Sequence, residues 1–348
     1  MACVHTICLI PGDGIGQEVI PAAAQALQAL RLDLTFVEAE AGFDCFQRCG
    51  EALPATTLEE VRKSDAALFG ATSSPAGGIK GYRSPILALR RELNLYANLR
   101  PVLSLPGDFS QPGIDLLIVR ENSEGLYSGR ERREGDTAIA ERVITRAASE
   151  RIVRVACEQA VQRAGQRGKP PVLTVVHKAN VLKVSDGLFR ECAMRVAQEY
   201  PQIAVREMLV DAAAMKLVKS PQSFDVLVTT NLFGDILSDE ASALVGGLGV
   251  APSANVGEGT PVFEPVHGSA PDIAGQGIAN PVGAMLSAAM MLDTLGQSQA
   301  ARKLREAIHA TLAAGVCTPD LGGAATTREF TCAVCQHLAH VESEVKKP

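Results

Sequence analysis

The stretch HTICLIPGDGIGQEVI, His5 to Ile20, decides the fold class. Thr6 to Ile10 is a β-rich run, apolar from Ile7 onward, which reads as a buried strand. Gln17 to Leu30, rich in Ala and Leu, reads as an amphipathic helix. PGDGIGQE lies between them, where a phosphate loop would stand at a helix N-terminus. Gly12, Gly14 and Gly16 are spaced G-x-G-x-G, however, and the last glycine of a dinucleotide fingerprint would fall on Gln17. The stretch predicts a strand–loop–helix unit of an α/β protein that is not a Rossmann fold.

The same alternation continues outward. Ala66 to Gly70, Ile114 to Arg120, Val172 to His177 and Phe224 to Thr230 read as strands, each followed by a glycine or polar segment and a helical pattern. That predicts a substantial parallel component. Breaks rich in Pro, Gly and Ser at 103–112 and 251–260 bracket a middle section. The expected domains are therefore 1–102 with 256–348, discontinuous, and 103–255.

The 348 residues are 47% hydrophobic, enough for a sizeable core, and the net charge of −6 argues against a nucleic-acid partner. The uncharged run Ile273 to Leu292 approaches the length of a membrane span. It carries three glycines, Gln276 and Asn280-Pro281, and so reads as a loop followed by a buried helix. The N-terminus shows no secretory signal pattern, and nine cysteines without a framework fit a reducing cytoplasm. Cys332 and Cys335 read as helix cysteines one turn apart.

The chemistry concentrates in charged residues at element ends. In NLFGDILSDE, Asp235 and Asp239 stand at i and i+4, so both carboxylates leave one helix face and repel unless a positive group lies between them. A hard divalent cation suits such an all-oxygen edge, although Asp235 is also placed to cap the helix and a solvated charge pair has the same spacing. LRRELNLYANLRP places Arg90 and Arg91 on a helix with Arg100 just after it, and IVRENSEGLYSGRE puts Arg120 at a strand end before Tyr127. Lone arginines are normally surface charge, but at strand and helix ends in a net acidic protein they can instead clamp carboxylates by paired hydrogen bonds. HKANVLK places Lys178 and Asn180 directly after a strand, where a lysine among cations can act as a base. HGSAPDIAGQGIANP, His267 to Pro281, offers small residues open to close approach by a ligand, then Asp272. An acidic side chain beside a ribose favours NAD over NADP. A hydrolase is disfavoured, because G-x-S-x-G is absent and the six histidines sit in no nucleophile motif.

Together LIPGDGIGQEV, LYANLRP, VRENSEGLY, HKANVLK, NLFGDILSD and FEPVHGSAPDIAGQGIANP resemble, in order and over nearly the whole chain, the β-decarboxylating dehydrogenases. This family includes isocitrate, homoisocitrate and 3-isopropylmalate dehydrogenases. The resemblance implies a non-Rossmann two-domain α/β fold with a large mixed sheet flanked by helices. It also implies homodimers, or tetramers of them, whose active sites draw on both subunits. It places Arg90, Arg100 and Arg120 on substrate carboxylates. Asp235 and Asp239 fall on Mg²⁺ or Mn²⁺, with Asp211 reaching the metal from the partner. Lys178, also from the partner, would deprotonate the 2-hydroxyl as hydride leaves for NAD⁺, and Tyr127 would protonate the enol carbon after CO₂ loss. Asn180 would bridge substrate and nicotinamide, near Thr72 and Ser74. His267, Gly268, Ser269, Ala270, Asp272, Ile273 and Asn280 would hold the adenosine end. Asp272-Ile273 is similar to the pair in NAD-using members.

Substrate choice in this family lies on the loop and helix before Arg90. Here GYRSPILALR keeps the apolar pair Ile86-Leu87 of isopropylmalate enzymes but has Arg83 and Ser84, which suit an anion better than an isopropyl group. The string is most similar to the homoisocitrate enzymes of lysine formation by the α-aminoadipate route. Leu87 departs from members with a basic residue there, so Ser84 and Arg83 are the candidates for the distal carboxylate. Isocitrate and isopropylmalate are the alternative substrates.

Overall fold

A computed structural model describes residues 4–73, 75 and 79–345, with side chains to 339. Ser74 falls outside the described residues. The strands are β1 (His5–Gly12), β2 (Leu34–Glu38), β3 (Ala66–Ala71), β4 (Ala97–Leu103), β5 (Asp115–Glu121), β6 (Glu131–Glu134), β7 (Thr137–Ala140), β8 (Val172–His177), β9 (Ala204–Leu209), β10 (Val226–Thr229), β11 (Pro252–Val256) and β12 (Val262–Pro265). The chain forms two compact units. One comprises Met1–Leu93, Leu105–Gln111 and Val245–Pro348, the other Asn94–Ser104 and Pro112–Leu244.

The first unit carries a mixed sheet in the order β2-β1-β3-β12-β11, parallel except for the antiparallel pair β11–β12. Ile7, Cys8 and Ile10 on β1 and Ala66 to Leu68 on β3 are fully buried, as expected of strands covered on both faces. The helix Gly16–Ala29 follows β1, and Val282–Thr294 is apolar nearly all round and buried. The uncharged run before Leu292 is thus a loop and a core helix. Among the described residues no helix is long and apolar enough to cross a membrane. Cys332 and Cys335 lie on the helix Thr327–Val345 with free thiols.

The second unit carries the order β4-β5-β10-β8-β9, with β4–β5 antiparallel and the rest parallel. The hairpin β6–β7 stands apart, almost wholly exposed. The long helix Arg146–Arg167 starts at Thr145, whose hydroxyl accepts from Ala148 N at 3.2 Å, and stops at Gly168 in the left-handed region. The chain is α/β, with mixed sheets flanked by helices.

Two local expectations change. Residues 251–260 contain β11, because pairing with β12 recruits Pro252–Val256 despite its turn-rich composition. Arg100 lies within β4, not in a segment trailing a helix.

Candidate active site

The helix Asn231–Ala243 begins one residue after β10, with Thr230 before it, so Asp235 sits in its second turn and is not a cap. Arg120 on β5 lies across the start of this helix. A Cβ on Gly234 would come 2.6 Å from Arg120 Cγ, so only glycine admits that approach. Arg120 is 1% exposed; its Nε and Nη2 donate to Asn231 Oδ1 at 3.0 and 2.8 Å, and Nη1 donates to Asp235 Oδ1. Arg100 comes from β4 and is fixed by donation from Nε to Asn98 Oδ1 (2.5 Å) and from Nη1 to Ser238 Oγ (2.7 Å). The same Nη1 lies 3.2 Å from both Asp235 Oδ1 and Asp239 Oδ1. The two aspartates therefore converge on one positive nitrogen, which offsets their repulsion.

Tyr127, in a short 3₁₀ turn after β5, donates its hydroxyl to Asp235 Oδ2, and its ring lies under the Arg120 guanidinium at 5.0 Å. Burial chiefly, and then the hydrogen bond to Asp235, push the Tyr127 phenol up, so it remains a proton donor at neutral pH. Burial first, and Asp235 as a like charge, raise the Asp239 carboxyl, while Arg100 opposes both. The structure thus brings together five residues singled out from the sequence: Arg100, Arg120, Tyr127, Asp235 and Asp239.

Lys178 follows β8, and its Nζ lies 2.7 Å from Asp211 Oδ1 on the first turn of Val210–Lys219. That pairing holds the Asp211 carboxyl below its usual range. Asn180 is exposed in the turn beyond. Among the described residues no three His, Cys, Asp or Glu side chains of one chain gather as metal donors, so Asp211 does not join Asp235 and Asp239 within the chain. The pair offers the all-oxygen donors that a hard divalent cation takes, although here both carboxylates are turned onto Arg100 Nη1, so a cation would have to take that nitrogen's place.

In the first unit Arg90 is tied inward, donating to Asn255 Oδ1 (2.9 Å) and Glu264 Oε1 (3.0 Å). His267 is buried, with Nδ1 3.0 Å from Gly268 O and Nε2 without a hydrogen-bond partner among the described residues; burial lowers its pKa, so it stays neutral. Beside it Gly268 is exposed, and a Cβ there would meet nothing within 4 Å. An orphaned ring nitrogen beside open backbone fits a polar ligand such as a dinucleotide. Asp272 is exposed and Ile273 half-buried. Asn280 is committed internally, donating to Asp320 Oδ2 at 2.9 Å and accepting from Val282 N at 3.0 Å. Thr72 lies half-buried just past β3.

The glycine loop has a different use from the one its position suggested. Cβ atoms on Gly12, Gly14 and Gly16 would fall 2.0 Å from Ala71 O, Ser269 O and Pro11 O. These glycines let protein backbone approach protein backbone. Ile15 N accordingly donates to Ser269 O at 2.9 Å, which fixes the His267–Ala270 segment, where Ala270 takes a left-handed φ of 38°. Reading the sequence missed the partners Asn98, Asn231, Ser238, Asn255 and Glu264. For Asn98 a signal existed, since it sits two residues before Arg100 on a strand and so shares its face.

The sequence profile of the isocitrate/isopropylmalate dehydrogenases matches residues 6–334. The chain is 55% identical to an isocitrate/homoisocitrate dehydrogenase of Thermus thermophilus over 335 residues, covering 96% of this chain and 98% of that protein. It is 51% identical to a 3-isopropylmalate dehydrogenase of Methanothermobacter thermautotrophicus, covering 95% and 98%. The solved isocitrate dehydrogenase of Methylococcus capsulatus superimposes with a TM-score of 0.91 at 42% identity, over 96% of this chain and 99% of that one. With the paired aspartates, the buried arginines and the tyrosine set in one cluster, the chain belongs to the isocitrate/isopropylmalate dehydrogenase family and is a β-decarboxylating dehydrogenase.

Proposed function

We propose that the chain oxidatively decarboxylates homoisocitrate to 2-oxoadipate and CO₂ with NAD and Mg²⁺ or Mn²⁺, in lysine formation by the α-aminoadipate route. One observation favours this acid. Ser84 stands at the N-cap of the helix Pro85–Glu92, yet its hydroxyl makes no capping bond, and Arg83 beside it is exposed. Two polar groups without a side-chain partner among the described residues suit a distal carboxylate. A second reading, isopropylmalate, draws on Leu87, which is 36% exposed one turn further on.

The family resemblance supplies the roles, and the geometry supports several of them. Arg100 and Arg120 are held rigid by Asn98, Asn231 and Ser238, so substrate carboxylates meet donors already in place. Arg90, anchored on Glu264 in the first unit, is the third arginine that the family resemblance assigns to a substrate carboxylate. Asp235 and Asp239, with Asp211 of the partner subunit, would hold the cation, which would supply Lewis acidity toward the ketone. Lys178 would take the 2-hydroxyl proton in the oxidation, and Tyr127 would return a proton to the enol carbon. In the first unit His267, Gly268, Ser269, Ala270, Asp272, Ile273 and Asn280 hold the dinucleotide, together with Thr72 and Ser74, and Asn180 reaches toward the nicotinamide. Asp211 and Lys178 act across a homodimer. Large apolar side chains in water support the dimer: Val181 is 65% exposed, Val184 87%, Met215 64%, Val218 56% and Ile236 57%, all in the second unit. The exposed hairpin β6–β7 also lacks the packing that a two-stranded ribbon needs.

The test is NADH formation with Mg²⁺ and each of the three acids; a higher kcat/KM on isocitrate or isopropylmalate than on homoisocitrate overturns the reading. Ser84→Ala is expected to lower kcat/KM on homoisocitrate about tenfold while changing isopropylmalate less than about twofold, the scale of one hydrogen bond to a charged group. An equal loss on both removes Ser84 from the specificity role. Asp272→Lys with Ile273→Tyr is expected to raise the KM for NAD about tenfold, because a lysine no longer accepts from the ribose hydroxyls. An unchanged KM for NAD argues against this cofactor site.

A further inference from the structure

Asp13 is 1% exposed, and its carboxylate does not face solvent. Oδ2 accepts from Phe43 N (2.7 Å) and Ser73 N (2.8 Å), and Oδ1 accepts from Asp44 N (3.0 Å). One buried anion thus joins the start of the helix Phe43–Cys49 to the residue that leaves β3. Tyr82 closes the arrangement from the other side. Its hydroxyl donates to Ser73 O at 2.6 Å, so both backbone polar groups of Ser73 are taken. Its ring packs edge-on against Phe43 at 5.4 Å and Phe46 at 5.3 Å, on the helix that Asp13 anchors. Burial first, and then the Asp13 charge, push the Tyr82 phenol up to about 12, so it is a donor throughout the neutral range.

Tyr82 directly precedes Arg83 and Ser84. Its position is fixed by one hydrogen bond and two ring contacts. We propose that Tyr82 is a positioning residue for substrate specificity, holding Arg83 and Ser84 where the distal group of the acid binds. The proposal rests on the specificity role assigned above to Arg83 and Ser84. A tyrosine that merely filled space would be replaced by Phe without consequence for the acid, since the ring contacts survive.

Tyr82→Phe removes only the hydroxyl. The expected result is a KM for the preferred acid raised about tenfold, with kcat and the KM for NAD each within about twofold of wild type, because the loss falls on binding geometry. Thermal melting follows the fold. An acid KM within about twofold of wild type, or equal rises in the KM for acid and for NAD, overturns the proposal. If Tyr82→Phe does not fold, Phe46→Leu loosens the same ring from behind and is expected to raise the acid KM about threefold; an unmoved KM overturns the proposal there too. Running all three acids on the wild type separates the two failures. A wild type that prefers another acid defeats the homoisocitrate reading, and Tyr82 is then judged on the acid preferred.

Discussion

Asp235→Asn is expected to lower kcat about 1000-fold while the protein remains folded, a loss on the scale of removing a preorganised electrostatic group. The reason is the number of groups that this one carboxylate serves. Its Oδ2 takes the Tyr127 hydroxyl; its Oδ1 takes Arg120 and lies 3.2 Å from Arg100. An amide keeps one acceptor, turns a donor toward either Tyr127 or the arginines, and removes the charge. Tyr127 loses the partner that orients its proton, and the Asp235–Asp239 pair proposed to hold the cation keeps one of its two anionic charges. Stability suffers less than activity. Arg120 keeps both bonds to Asn231, and the Asp235 side chain is 29% exposed, so the cost is about 1–2 kcal/mol, not the full penalty of an orphaned buried charge. NADH formation measures kcat, calorimetric titration with Mn²⁺ measures the cation edge, and circular dichroism reports the fold. Wild-type kcat in the variant would remove Asp235 from the chemistry.

The same residue shows how far the sequence was legible. The i and i+4 spacing of Asp235 and Asp239 demanded a positive neighbour, and reading the spacing alone left a bound cation, a cap and a solvated pair all open. The structure supplies a neighbour that spacing cannot reveal, since Arg100 arrives from β4, remote in sequence. The sequence reading places Arg100 just after a helix and assigns no strand there; pairing of Ala97–Leu103 with β5 along its whole length makes it one. β11 was hidden for the same reason, since its strand character comes from β12 and not from its own Pro, Ser and Asn. The glycine loop misled in a more instructive way. Glycine spacing reports that something approaches the backbone closely, but not what. At Gly12, Gly14 and Gly16 it is the chain's own carbonyls. Asp13, between those glycines, gave no signal at all. A single acidic residue in a loop is usually solvated, and only the fold shows three amides converging on it.

Lys178→Ala is expected to lower kcat/KM about 1000-fold or more, toward the upper end of what general base catalysis contributes. The backbone at this position is secured independently of the side chain. Lys178 N donates to the buried Asp186 at 2.6 Å, and Lys178 O accepts from Val181 N and Leu182 N at 3.0 and 2.8 Å. Asp186 is itself held by Arg142, which also donates to Thr230 Oγ1 at 2.8 Å. Truncation therefore removes the amine and leaves the turn where it is, with a melting temperature within a few degrees of wild type as the check. Two roles for the amine compete, since Nζ lies 2.7 Å from Asp211 and could serve only to neutralise it. Lys178→Arg separates them. A guanidinium neutralises Asp211 as well as an ammonium does, but it does not give up its proton near neutral pH and so cannot accept one from the 2-hydroxyl. If charge were the whole role, Lys178→Arg would retain most of the activity. If Lys178 takes the proton, Arg fails about as badly as Ala, with the KM for the acid largely kept, and this is the outcome expected. Wild-type kcat in either variant would end the assignment of Lys178 as the base.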